Sequence, residues 1–291
     1  MEHIGAAAVW ELLNRYGIRL SKAMGQNFLV DGNITEKIVR MSGIGEGCGV
    51  LEVGPGFGSL TLELSRAAGR VVAVELDARL LPVLGETLAG CHNVEIVNAD
   101  ILKVDIIKLV NENLRGLTHH VCANLPYNIT APALTALIDA GIFNTITVMV
   151  QREVAARICA EPGSSDYGAF SVYVNYHTAP EKLFDVPPGC FTPQPKVWSS
   201  VVTMKRRAER LLPSEQEEVF FKVVRASFAQ RRKTLVNALH SAFGNTMSKE
   251  EISEIVNKHG LDPRVRGETL GVESFVELSQ YFMRIRYNED T

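Results

Sequence analysis

The residues best suited to chemistry are Asn124-Leu125-Pro126-Tyr127, which follow an apolar stretch. The Asn124 side-chain oxygen and the next backbone carbonyl can accept both hydrogens of an exocyclic amine. Pro126 keeps the turn rigid, and Tyr127 offers its face to the ring that carries the amine. Such an amine is a poor nucleophile, because its lone pair is delocalised into the ring. Two acceptors that hold its N–H bonds out of plane push the lone pair towards an electrophile and stabilise the charge developing on nitrogen. A neutral Asn does not compete as a nucleophile, and no general base stands beside it, so the proton leaves to water. The plainer reading of Asn-x-Pro is a turn.

The partner electrophile is suggested upstream by Glu52-Val53-Gly54-Pro55-Gly56-Phe57-Gly58. The spacing is acid-x-Gly-x-Gly-x-Gly, which suits a nucleoside with an amino-acid tail better than a dinucleotide pyrophosphate; S-adenosylmethionine fits. Tight strand-to-helix packing is the alternative use of such glycines. Glu75, about twenty residues further on, is placed to take both ribose hydroxyls, or is a solvated strand-end acid. Asp100 could accept from the adenine amino group, although capping a helix before Ile101 explains it as simply. Stacking of Tyr127 on a flipped base would contribute about 1–3 kcal/mol. Phe191 could supply the opposite face, or be a core aromatic.

These residues need strand ends to hold them. Apolar runs at 50–53, 71–75, 94–97, 120–123 and 145–150 read as strands, separated by helical patterns after Ser59, over 76–88 and over 131–140. A long helix is predicted to open at Gln151, carrying Arg152, Glu153 and Arg157. Such alternation predicts an α/β, Rossmann-like, doubly wound and mostly parallel sheet, with its ligand crevice outside the carboxyl ends of the strands. The proline-rich segment 187–195 cannot be a central strand, whereas 197–204 alternates as the last strand. The catalytic domain is therefore placed at 1–206. Residues 207–291, with capping boxes at Ser214–Glu217 and Ser248–Glu251, form a small domain of three or four short helices. The polar segment Lys22-Ala23-Met24-Gly25-Gln26-Asn27-Phe28-Leu29 reads only as a loop.

Composition narrows the class. The 291 residues are 46% apolar, enough for a large core, yet no apolar run approaches the ~20 residues of a membrane span. No basic-then-apolar leader is evident at Met1-Glu2-His3-Ile4-Gly5, so a cytoplasmic protein is expected. Five scattered cysteines without a CxxC pair argue against disulfides and a zinc site; no metal is expected. A net charge of −3 means that any nucleic acid is met by local patches. One patch runs from Lys205 to Lys233, with nine basic and four acidic residues. Within it Arg225, Arg231, Arg232 and Lys233 are assigned to one helix whose other face carries Phe221, Val224 and Phe228, as a phosphate-binding surface or simply a solvated face.

Taken together, Gly25 to Leu29, Glu52 to Gly58, Val74 to Asp77, Asn98 to Asp100, Asn124 to Tyr127, Phe191 to Val197 and Arg231 to Leu235 resemble one family. It is the ribosomal RNA adenine N6,N6-dimethyltransferases of the KsgA type, whose relatives include the Erm resistance methyltransferases. The resemblance implies that Asn27 and Leu29 cover the methionine end and sugar of S-adenosyl-L-methionine and that Gly54 touches its backbone-facing side. It further implies that Glu75 binds the ribose, Asp100 the adenine, and that Asn124 lies where donor and target meet. The implied reaction is dimethylation of two adjacent adenosines in the 3′-terminal hairpin of small-subunit (16S) ribosomal RNA, during 30S assembly, by a monomeric enzyme. The helical domain would then aid RNA docking. An Erm-like activity on large-subunit RNA is disfavoured by the complete 191–197 and 231–235 segments, and a non-catalytic assembly factor by intact Gly54, Glu75, Asn124 and Tyr127. Two departures are local: Gly271 where a serine cap is usual, and Phe57 where an aliphatic residue is common.

Overall fold

The structure is a computed structural model that describes residues 4–20, 25–230 and 232–288, the side chains only as far as 283. Met1 to His3, Ser21 to Met24 and Arg231 lie outside the described residues. Contacts divide the chain into two compact units, Met1–Ala155 with Pro180–Arg206, and Ala156–Ala179 with Arg207–Thr291. Residues 156–179, expected within 1–206, group instead with the helical unit.

Along the first unit run α1 (Ala6–Arg15), β1 (Phe28–Leu29), α2 (Gly32–Ser42), β2 (Cys48–Val53), α3 (Ser59–Ala67) and β3 (Arg70–Glu75). They are followed by α4 (Leu81–Thr87), β4 (Val94–Asn98), α5 (Ile106–Asn113), β5 (Thr118–Asn124), α6 (Thr130–Asp139) and β6 (Thr145–Gln151). Then come α7 (Arg152–Ile158) and α8 (Ala169–His177), the strands β7 (Thr178–Val186), β8 (Phe191–Thr192) and β9 (Ser199–Arg206), and α9 (Ser214–Ala229), α10 (Leu235–Phe243), α11 (Lys249–Lys258) and α12 (Val272–Asn288).

Seven strands form one sheet in the order β4-β3-β2-β5-β6-β9-β7. The pairs β4–β3, β3–β2, β2–β5 and β5–β6 are parallel, and β6–β9 is antiparallel. Every residue of β2 is buried, as a strand covered on both faces requires, which is why its sequence is a nearly unbroken apolar run. Strand order reverses between β2 and β5, so the crevice of a doubly wound sheet falls beyond their carboxyl ends. A second, two-stranded sheet pairs Phe28 with Thr192 and Leu29 with Phe191.

Several expectations change. Gln151 ends β6, and α7 is only seven residues long. β7, unread in the sequence, is an edge strand of the sheet. The 191–192 segment, placed in an irregular loop, is a short strand, and Val197 and Trp198 precede β9 as exposed residues. In the helical unit α9 and α12 are long rather than short. Ser214 is the first residue of α9, so it makes no capping bond there. Ser248 does form a complete box: its Oγ accepts from the Glu251 N–H at 3.2 Å, and its own N–H donates to Glu251 Oε2 at 2.7 Å. A core built on Phe220, Leu239, Phe275 and Leu278 belongs to this unit alone.

Candidate active site

The glycine loop turns sharply off β2. Gly54 has φ +70° and donates its N–H to the Val74 carbonyl at 2.9 Å. A Cβ there would reach Pro126 Cγ at 3.4 Å, so the loop and the 124–127 turn lie against each other. Gly56 is more constrained: φ is +62°, and a Cβ would come within 2.7 Å of Phe28 Cδ1. Phe28 in turn meets Phe57 edge-to-face, with centroids 4.6 Å apart, which gives the aromatic at 57 a packing reason.

At the end of β3, Glu75 accepts the Asp77 N–H on Oε1 at 2.8 Å and the Gly56 N–H on Oε2 at 3.2 Å. Both oxygens are fixed, and each keeps a lone pair for a ligand hydroxyl. Burial raises this carboxyl above its ordinary range, while the two backbone donors pull the other way. Asn98 Nδ2 donates to the Glu75 carbonyl at 2.7 Å, tying β4 to the same tip. Asp77 is held by Arg79 and by Gln26 Nε2 at 2.9 Å, and the Arg79 guanidinium keeps its carboxyl low. Asp100 accepts the Leu102 N–H at 3.0 Å, so its turn-capping bond is formed, and it also faces the cavity.

At the end of β5, Asn124 Nδ2 donates to the Asn27 carbonyl at 3.2 Å. That bond orients the amide and anchors the 25–29 segment over the site. The Leu125 N–H donates to the Met149 carbonyl at 3.1 Å, and Thr130 Oγ1 to that of Pro126 at 3.1 Å, so the turn is held from both sides. Tyr127 Oη and Ser199 Oγ share a hydrogen bond at 2.6 Å, and burial raises the phenol above its ordinary range. The ring is thus pinned at its far end.

A cavity of about 240 Å³ gathers Asn27, Leu29, Gly54, Glu75, Asp100, Asn124, Leu125, Pro126 and Tyr127. Phe191 does not line it. This residue is 2% exposed and packs with Leu29 and Val201, so the second stacking face expected of it gives way to the core role. The cavity also holds residues to which the sequence assigned no role: Gln26, Asp77 and Glu52. For Glu52 the signal was an acid inside an otherwise apolar strand. Glycines whose missing Cβ atoms leave room, fixed acids at two strand ends and an apolar lining suit a nucleoside with a charged tail.

In the helical unit the basic cluster is split. Only Arg225 lies on α9, which ends at Ala229; Arg232 and Lys233 follow in the turn before α10, and all three are exposed. Among the described residues no group of three or more His, Cys, Asp or Glu is arranged to hold a metal ion, and no helix is long and apolar enough to cross a membrane. The cysteines are free thiols.

The model of the family described as ribosomal RNA adenine dimethylase matches residues 17–283. The chain is 45% identical over 276 residues to ribosomal RNA small subunit methyltransferase A of Geobacillus thermodenitrificans (strain NG80-2), covering 94% of each. It is likewise 45% identical over 273 residues to the protein of that name from Clostridioides difficile (strain 630), again with 94% of each covered. Among solved structures, a dimethyladenosine transferase from Plasmodium falciparum superposes with a TM-score of 0.75 at 23% identity, over 89% of this chain and 98% of that one. The 23S rRNA methyltransferase ErmE gives 0.70 at 26%, over 87% and 98%.

Proposed function

The chain belongs to the ribosomal RNA adenine dimethylase family, and from that membership we propose that it dimethylates the N6 amino groups of two adjacent adenosines in the 3′-terminal hairpin of small-subunit (16S) ribosomal RNA, with S-adenosyl-L-methionine as donor. The acceptor in this reading is the immature 30S particle, and the enzyme acts as a cytoplasmic monomer. The observation that carries it is the meeting, in one cavity, of the oriented Asn124 amide, the Tyr127 ring, the glycine loop and the fixed Glu75.

The donor, when bound, supplies a methyl group on a sulfonium, which needs no activation. The chain's own residues do the rest. Glu75 holds the ribose through lone pairs left over from its backbone bonds, and Asp100 accepts from the adenine. Asn27, Leu29 and Gly54, which line the same cavity, would hold the donor's methionine end and sugar. Asn124 Oδ1, turned by the bond from Nδ2 to Asn27, and the neighbouring carbonyl accept the two target N–H groups, and Tyr127 holds the flipped base by stacking. Leu125 and Pro126 fix the turn. The helical unit contributes to RNA docking through Arg225, Arg232 and Lys233. The name and identity of the relatives support the small-subunit target over the large-subunit one.

The test is to incubate the protein with labelled donor and undermethylated small subunits, digest the RNA and separate the nucleosides. Labelled dimethyladenosine in the 3′-terminal fragment is the expected product. Label outside the 3′-terminal fragment, or none in dimethyladenosine, would overturn the assignment.

A further inference from the structure

We propose that Glu52 is a further cofactor-holding residue, whose carboxyl passes its proton to solvent when the cationic methyl donor binds. The inference rests on the donor assigned above and concerns an atom that reading does not use. Glu52 lies in the fully buried β2, one residue from the glycine turn; it lines the cavity and is 1% exposed. Among the described residues its Oε2 is buried without a hydrogen-bond partner, as is Oγ1 of Thr61 on α3, although that hydroxyl stands near enough to favour the ionised carboxyl. A carboxylate oxygen left so would be costly, which calls either for a proton on the acid or for a positive ligand beside it.

The titratable neighbours supply no such charge. On β3 stands Glu75, a second acid already committed to two backbone N–H groups. On β5 stands Cys122, whose thiol burial pushes up and keeps neutral. The cations beside the other cavity-lining acids are engaged there, Arg79 with Asp77 and Lys103 with Asp100. Among the described residues none forms a salt bridge to Glu52 or Glu75. Burial, opposed in part by the nearby Thr61 hydroxyl and reinforced by the charge of Glu75, pushes the Glu52 carboxyl up to about 8, so near neutrality the free protein holds it protonated. S-adenosylmethionine carries a sulfonium and an ammonium against one carboxylate. An arriving net positive charge favours the ionised acid, and the displaced proton goes to buffer.

The sign follows from linkage. The carboxyl binds its proton more tightly in the free protein than in the complex. Below about pH 8 donor binding therefore releases up to about one proton, and affinity tightens by about tenfold per pH unit as pH rises, levelling off above that value. The donor's α-amino group titrates near about 7.7–8.0, so the clean window is about pH 6–7.

Calorimetry of S-adenosylmethionine binding in two buffers of different ionisation enthalpy reads the proton directly. We expect release by the unmodified protein and none by Glu52→Gln, whose affinity should also lose its pH dependence. Difference infrared spectroscopy of the unmodified protein gives a second readout that needs no variant to fold: the C=O stretch of a protonated carboxyl should vanish on adding donor. Binding without proton release, an unchanged carboxyl band, or equal release by Glu52→Gln would each overturn the inference while leaving the donor assignment intact. Failure of the unmodified protein to bind S-adenosylmethionine would overturn that assignment and this inference together.

Discussion

The strand tips and the basic turn of the helical unit are held in opposite ways. At the tips, Glu75 and Asn124 are each fixed by a bond to a backbone atom of another segment, and Tyr127 by its bond to Ser199. Arg225, Arg232 and Lys233 are exposed, on a helix flank and in a turn. A side chain held at both ends can select a shape, because moving the ligand costs it a directed bond. An exposed cation answers to charge alone and tolerates displacement, as phosphate contacts do. The first region is thus suited to a single reacting nitrogen, the second to a backbone of any sequence.

The strongest way to break this contrast is Asn124→Ala. Transfer should fall by about 10²–10³-fold or more in single-turnover assays, as when a group aimed at developing charge is removed, while donor affinity by calorimetry changes only a few-fold. Equal losses in both would make Asn124 a cofactor anchor and not a reader of the amine. Next in size is Glu75→Ala, which should weaken donor binding by about 10–100-fold, the worth of charge-assisted hydrogen bonds. An unaltered dissociation constant would remove Glu75 from the ribose site. Gly56→Ala must fit a Cβ against Phe28 at a left-handed φ, and should cost about 2 kcal/mol in denaturant unfolding as well as loosening donor binding. A variant as stable as the parent would mean that the loop is softer than its geometry indicates.

The helical unit should respond differently. Replacing Arg225, Arg232 and Lys233 by neutral residues should weaken RNA binding and flatten its log–log salt dependence by about two, with donor affinity unchanged. An unchanged slope would return these cations to a solvated face. The smallest effect is expected at Gly271, which precedes α12 with room for a side chain: a Cβ there would lie 3.6 Å from Glu273 Oε2 and 3.9 Å from Pro162 Cγ, its nearest neighbours. Gly271→Ser should stabilise the protein by a few tenths of a kcal/mol, detectable as a small rise in Tm.

What could be read from the residues divides along the same line. The tips of β2, β3 and β5 were legible because a buried parallel strand leaves an apolar run, and a polar residue at its end has little freedom about where it goes. The basic helix was misread because Ala229 to Lys233 carries no glycine or proline to mark the end of α9, and the pattern of cations continues through the turn. Phe191 was ambiguous because an aromatic after a proline-rich stretch can face solvent or core, and only its pairing with Leu29 decides. That pairing was itself hidden: two-residue strands have no period. The grouping of 156–179 with the helices depends on packing across distant sequence, which composition does not mark.

The pairing of β1 with β8 also bears on how the protein is made. Leu29 and Phe191 are separated by most of the catalytic unit, and the Val30 N–H donates to the Cys190 carbonyl at 2.9 Å. On a ribosome that threads the chain out from its amino end, the strand Phe28–Leu29 lacks its β partner until residue 192 has emerged. The nascent enzyme is therefore obliged to wait for that late strand before this side of its site is complete.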